Sequence, residues 1–296
     1  MHKKLAILLA FSALGLSIFL SSPQRRYHTF PQALIALQRA GAFSPGAKET
    51  IIPIESEKLV LGAQELEDVA DCQNYLESWL AQQPGEWGVV VKDLVHQEKF
   101  SFNSHQTFHA ASVMKLVTAV TVFDWMEENR AELDFWVKGQ TLRQRLTLLI
   151  NQSNNYQWAD LNTLVTLKKE QELLKANGLD DADIYTNTMS AEDVFLLLNK
   201  IYQGLLLNSK RRDFLLQTMQ NTINENRIPA GIPDDIPVAH KYGSWQDNIH
   251  DAGFVLTENP YLMVVMTHNV PAAEAKIARL SHLVYQMFEQ NKCWLK

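Results

Sequence analysis

A mixed α+β architecture, in which an antiparallel sheet flanked by the first and last helices carries a separate all-helical lobe, is predicted by the order of elements along the chain. Three observations lead to it. A helical apolar period over residues 64–82 is followed by two short strand-like runs, Val89-Val90-Val91 and Phe100-Ser101-Phe102. A mostly helical stretch then extends from Ser112 to about Met219. Three further strand-like runs and one helical run close the chain.

In the first helix Leu66, Val69, Tyr75, Leu76, Trp79 and Leu80 fall on one face, and Pro84-Gly85 ends it. A turn around Val95-His96-Gln97 joins the two strands that follow. The helical middle contains an apolar helix after Ser112 and helices over Leu142–Ile150, Tyr156–Val165 and Ala191–Tyr202. Glu170 and Glu172 lie in a charged helical run and Asp180, Asp181 and Asp183 in a polar turn, all expected to be solvated. Strands return over Val238–Tyr242, Gly253–Leu256 and Tyr261–Met266, the last two joined at Glu258-Asn259-Pro260. Residues Ala272–Phe288 have the apolar period of a closing helix. Trp79, Trp87, Trp125, Trp136 and Trp158 read as packing residues, and Trp245 as the rim of a cleft.

The chain has 296 residues, 46% hydrophobic and 20% charged, which suits one main domain at 58–296. Net charge is −6, and Lys210-Arg211-Arg212 is as dense as the basic clusters become, which argues against nucleic acid as a partner. A monomer is expected. Residues 1–22 read as a targeting element: His2-Lys3-Lys4 precedes an uncharged run over 5–20. That run suits either a cleaved signal peptide or a retained membrane anchor, and residues 23–57, with several prolines, suit a stem. Either way the main domain is expected to be exported, to the periplasm or the cell surface. The two cysteines, Cys72 and Cys293, fit one disulfide between the early and the terminal helix, or two buried thiols.

Chemistry concentrates in three short motifs. Ser112 stands three residues before Lys115, one turn away on the same helix face, so a weak hydroxyl nucleophile has an amine base beside it. The surrounding Ala110-Ala111 and Leu116-Val117 are apolar, so Lys115 needs polar partners. Ser153 and Asn155, two apart on a loop, offer a hydroxyl to relay a proton and an amide to hold a peptide-like group. Lys241-Tyr242-Gly243 ends an apolar strand, where a lysine offers positive charge and a glycine lets backbone approach closely. Ser244 follows, and its backbone N–H with that of Ser112 would form an oxyanion hole. The nine histidines show no metal-ligand spacing, and the chemistry calls for no cofactor.

In this order and spacing the SxxK, SxN and KxG motifs resemble those of the class A β-lactamase-like and penicillin-binding serine hydrolases. The resemblance spans Gln64 to the C-terminus, and His250-Asp251-Ala252-Gly253 with the following strand pair belongs to it. It implies the β-lactamase/transpeptidase-like fold. It also implies Ser112 as acylated nucleophile, Lys115 as its base, Ser153 as proton relay, Asn155 as a substrate-amide contact, and Lys241 and Gly243 as substrate-binding residues. The implied substrate is a β-lactam or a peptidoglycan stem peptide. A β-lactamase is the first expectation, a D-Ala peptidase or slow penicillin-binding protein the second, and a non-catalytic cell-envelope binding protein the third. Three features depart from the family pattern. The segment between Asn155 and Ser190 is too short for the usual loop with a deacylating glutamate, Tyr242 replaces a small hydroxyl residue, and Ala252 stands where many β-lactamases carry a carboxylate-clamping arginine.

Overall fold

A computed structural model describes residues 60–61, 64–65 and 68–290. The targeting run, the stem and Cys293 lie outside the described residues. A two-residue pairing of β1 (Val60–Leu61) with β2 (Gln64–Glu65) precedes the first helix. Helix α1 (Val69–Ala81) begins later than the apolar period suggests. Asp68 sets that start, because its side chain accepts from the Asp71 N–H and caps the helix.

The sheet is five-stranded and antiparallel, in the order β4 (Lys99–Phe102), β3 (Glu86–Asp93), β11 (Tyr261–His268), β10 (Asn248–Val255), β9 (Val238–Trp245). Its residues alternate between two cores, as the period of two requires. On β11, Tyr261, Met263 and Val265 pack beside α1 and α8 (Ala273–Tyr285), where Cys72, Leu76, Leu80, Ile277 and Leu280 meet them. Leu262, Val264 and Met266 face the opposite way, into the helical lobe. Cys72 is fully buried in the first of these cores and is disulfide-bonded.

The lobe is built around α2 (Lys115–Glu128), every residue of which from Lys115 to Phe123 is buried. Against it pack α3 (Leu142–Ile150), α4 (Asn155–Val165) and α5 (Leu167–Ala176), followed in sequence by α6 (Ala191–Tyr202) and α7 (Ser209–Thr218). The starts of α3 and α6 are fixed by capping boxes, Thr141 with Gln144 and Ser190 with Asp193. A short hairpin, β6 (Trp136–Val137) with β7 (Gln140–Thr141), leaves Trp136 exposed rather than packed, unlike the expectation for that tryptophan. Among the described residues no helix is long and apolar enough to cross a membrane.

Glu170 corrects a second expectation. On α5 it shares a face with Leu173 and Leu174 and is fully buried rather than solvated. Burial drives its carboxyl up to about 8; Thr118, the hydroxyl it approaches, pulls the other way but leaves both carboxyl oxygens without a well-formed hydrogen bond. Asp181 instead pairs with His105 at 3.0 Å, and Asp183 caps the Tyr185 and Thr186 N–H groups.

Candidate active site

Ser112 lies in a 3-10 turn, Ala111–Met114, that leads into α2 at Lys115. Strand β5 (Thr107–His109) approaches this turn and pairs with β8 (Thr188–Ser190). Ala111, just before the serine, has φ +50, a left-handed conformation that costs a non-glycine residue about 1–3 kcal/mol. Neighbours hold it there. Asn187 accepts from the Ala110 N–H at 2.8 Å and donates through Nδ2 to Ala111 O at 3.2 Å, while His109 Nδ1 accepts from the Ala111 N–H. Asn187 itself has φ +55, which asparagine tolerates better than most residues.

Lys115 is wholly buried, and its Nζ meets four oxygens. It lies 3.0 Å from Ser112 Oγ, 3.1 Å from Ser153 Oγ and 2.7 Å from Asn155 Oδ1, and it also donates to Ser153 O. Two of these oxygens, in the carbonyl and the amide, can only accept, and the two hydroxyls can also donate. A neutral amine, with two N–H bonds and a lone pair, can donate to the carbonyl and the amide and accept a hydrogen bond from one of the hydroxyls. Burial lowers the Lys115 pKa well below its usual value, and the Lys241 charge lowers it further. The ring of Trp158 lies 5.2 Å away, held by its Nε1 donating to Thr118 Oγ1 at 2.9 Å.

Ser153 occupies a turn with φ +53, and Asn155 is the first residue of α4 rather than part of a loop. Asn154, the residue between them, caps α4 by accepting from the Gln157 N–H, which fixes Asn155 against Lys115. From the other side Lys241 Nζ reaches Ser153 Oγ at 3.0 Å and Tyr242 O at 2.8 Å. Burial pulls the Lys241 pKa down to about 7, against the opposing pull of Asp251.

Strand β9 presses its edge on the serine turn. A Cβ at Gly243 would come within 3.0 Å of Ala110 O and 3.1 Å of Ser112 N, so the glycine allows the close approach. Ser112 N thus lies against β9 at Gly243, one residue before Ser244, whose side chain accepts from Arg227 Nη2 at 2.6 Å. Trp245, farther along β9, stacks on His109 at 5.5 Å between ring centroids.

All six motif residues named from the sequence, Ser112, Lys115, Ser153, Asn155, Lys241 and Gly243, therefore converge on one cleft, with Ser244 beside them. Residues 71–288 match the model of the beta-lactamase enzyme family. The chain belongs to the beta-lactamase enzyme family. Among solved structures, the family fold is shared with PBP-A, at a TM-score of 0.69 and 25% identity over 75% of this chain and 97% of that one. A PBP-A variant solved as an acyl-enzyme with penicillin G gives 0.67 and 24%, over 76% of this chain and 98% of the other. A beta-lactamase from Chitinophaga pinensis gives 0.67 and 24%, over 74% and 100%. No curated protein matches the chain. As a member of this family, with its mixed α+β fold, the protein is a β-lactamase-like serine hydrolase.

Two elements of this β-lactamase-like site carry no sequence signal of their own. Arg227 sits in the loop before a 3-10 turn at Pro229–Gly231 and is almost wholly buried beside Tyr242, Gly243 and Ser244. It brings a guanidinium to the strand on which Ala252, buried opposite Lys241, has none. Asn187 is the second, hidden in the polar turn before β8; an asparagine in such a turn is a sign of left-handed backbone at most.

Proposed function

We propose that the protein acylates Ser112 with a β-lactam amide and hydrolyses the resulting ester in the manner of a β-lactamase. Lys115, buried and within 3.0 Å of Ser112 Oγ, is the observation that carries this reading. Its neutral amine takes the hydroxyl proton as Oγ bonds to the carbonyl carbon. Negative charge develops on the carbonyl oxygen, toward the backbone N–H groups of Ser112 and Ser244. As the carbon–nitrogen bond breaks, the proton passes from Lys115 through Ser153 Oγ to the leaving nitrogen. Lys115 is then neutral again and can draw a proton from the water that cleaves the ester.

A second reading, a penicillin-binding peptidase with a long-lived acyl-enzyme, rests on the short link between α5 and β8. The carboxylates of that link at Asp181 and Asp183 are engaged with His105 and with backbone N–H groups. The PBP-A variant captured with penicillin G offers a precedent for such an adduct. In both readings the domain works outside the cytoplasm, on a β-lactam or a peptidoglycan stem peptide, with residues 5–20 as signal or anchor.

Time-resolved intact-mass spectrometry of the full chain with penicillin G, beside Ser112→Ala, tests the proposal. An adduct that forms and decays with multiple turnovers supports hydrolysis, and one that lasts for hours supports the peptidase reading. Absence of any adduct with penicillin G refutes turnover of that lactam and leaves a different acyl substrate or a non-catalytic envelope protein. Lys115→Ala is expected to slow adduct formation by about 10²–10⁴-fold.

A further inference from the structure

Two basic side chains border the Ser112 site on the β9 side, and both already have polar partners within the protein. The guanidinium of Arg227 has five N–H bonds. Its Nε and Nη2 donate to Glu274 Oε1 at 3.2 and 2.7 Å, Nη1 donates to Gly243 O and His250 O at 2.9 and 2.7 Å, and Nη2 also donates to Ser244 Oγ at 2.6 Å. Lys241 gives two N–H bonds to Ser153 Oγ and Tyr242 O. Its Nζ sits 4.0 Å from the centre of the Tyr242 ring, so the aromatic face receives what remains of its charge.

Tyr242 completes the cover. Its ring lies 5.6 Å from Arg227 Cζ as well. Burial lifts the phenol to about 12, so it stays protonated and neutral near pH 7. Lys241 and Arg227 are buried, whereas Ser112 and Ser153 are partly exposed. The nucleophile is open to a substrate while the neighbouring positive charge is sealed behind a ring. An anion at this wall would have to displace the ring or break existing hydrogen bonds, and an uncharged group would do neither.

We propose that Tyr242 is a specificity-determining residue that closes the Lys241–Arg227 recess to a substrate's carboxylate, so that Ser112 favours acyl donors uncharged next to the scissile amide. This rests on the acyl-enzyme reading and names the substrate class for the same site.

Benzylpenicillin and its methyl ester have the same lactam and differ by one negative charge. Second-order rate constants for modification of Ser112 in the full chain, read by intact mass, compare them directly. The wild-type protein is expected to react with the ester at least as fast as with the acid. Tyr242→Thr should speed the acid by about tenfold or more while changing the ester by less than about threefold. Tyr242→Phe, which keeps the ring, should retain the wild-type ester-to-acid ratio. A neutral fluorophosphonate serves as a third probe, because it reports a folded, reactive Ser112 without a lactam or a carboxylate.

A wild-type preference for the acid of about tenfold overturns the proposal, by the measure that sizes charge-dependent discrimination. So does a Tyr242→Thr variant that keeps phosphonate labelling and leaves the ratio unchanged. The wild-type ratio decides alone if that variant fails to fold. Failure of all three probes to modify wild-type Ser112 sinks the acyl-enzyme reading itself, a result distinct from labelling without discrimination.

Discussion

Lys241 Nζ donates to Ser153 Oγ at 3.0 Å, joining side chains 88 positions apart in the chain. The same hydroxyl lies 3.1 Å from Lys115 Nζ, so two buried amines share one oxygen. After burial, the Lys241 charge is the second cause that lowers the Lys115 pKa. Lys241→Gln removes that repulsion and raises the Lys115 pKa, so the amine becomes neutral at a higher pH. The rising limb of the pH profile for Ser112 labelling is expected to move to higher pH in this variant. A limb that stays in place or moves down would show that the two lysines are uncoupled.

Gly243→Ala places a methyl group 3.0 Å from Ala110 O and 3.1 Å from Ser112 N. Relief needs a shift of a few tenths of an ångström in the serine turn, and overpacking of this kind costs about 1–3 kcal/mol. Labelling of Ser112 is expected to slow by about tenfold or more with a small fall in thermal midpoint, since misplacement of reacting groups is expensive. Gly253→Ala drives its methyl group into Ala239 O in the sheet and is expected to lower the midpoint much further. Equal midpoints for the two variants would contradict this assignment.

Glu170 is a buried acid whose folded pKa, about 8, exceeds its ordinary 4.5. Burial therefore penalises folding as pH rises above 4.5, and the penalty grows until about pH 8. Glu170→Gln is expected to stabilise the protein near pH 7 by about 2–3 kcal/mol, or about 5 °C or more in midpoint. Near pH 4 the gain should vanish. Calorimetry at the two pH values checks this, and a variant no more stable than wild type at pH 7 would place the carboxyl in water.

His240 behaves in the opposite sense. Burial alone would lower its pKa, but the charge and hydrogen bond of Asp251, at 2.8 Å, with help from Glu225, raise it to about 9. The stabilisation from this ion pair is complete below pH 6.5 and is lost as pH rises through about 9. His250, buried with Nε2 donating to His109 O and Nδ1 accepting from the Thr267 N–H, is held down to about 3. Its contribution is present above pH 6.5 and lost as pH falls toward 3. The midpoint is thus expected to fall on the alkaline side in wild type and to lose about 2–3 kcal/mol of that pH dependence in His240→Asn. An alkaline limb identical in both proteins would remove His240 from the account.

Much of the frame is legible in the sequence because it follows a period. Helices α3 and α6 lie where their apolar spacing puts them, and four strands of the sheet cover their predicted runs, whereas β10 (Asn248–Val255) begins five residues before the expected Gly253. The three motifs are local patterns, so their residues can be named, and the fold supplies the distances. Glu170 was readable in principle, since it is one turn from Leu173 and Leu174, but the lysines and glutamates around it mask the buried face. The three-residue strands β5 and β8 are too short to show a period, and Arg227 depends on a loop position fixed by Asp251, which accepts the Ile228 N–H at 3.0 Å. Tyr242 was visible as a departure from the pattern, but its direction depends on the twist and register of β9 and β10.

Lys115 loses its proton readily because the closed fold takes it out of water, and Lys241 on the far strand adds to the effect. A chain in which helical lobe and sheet have not yet met would leave that amine hydrated, charged and inert as a base. Chemical reactivity at Ser112 is in this sense a certificate of completed folding: a nascent or damaged molecule stays silent toward acyl donors until its distant halves have joined.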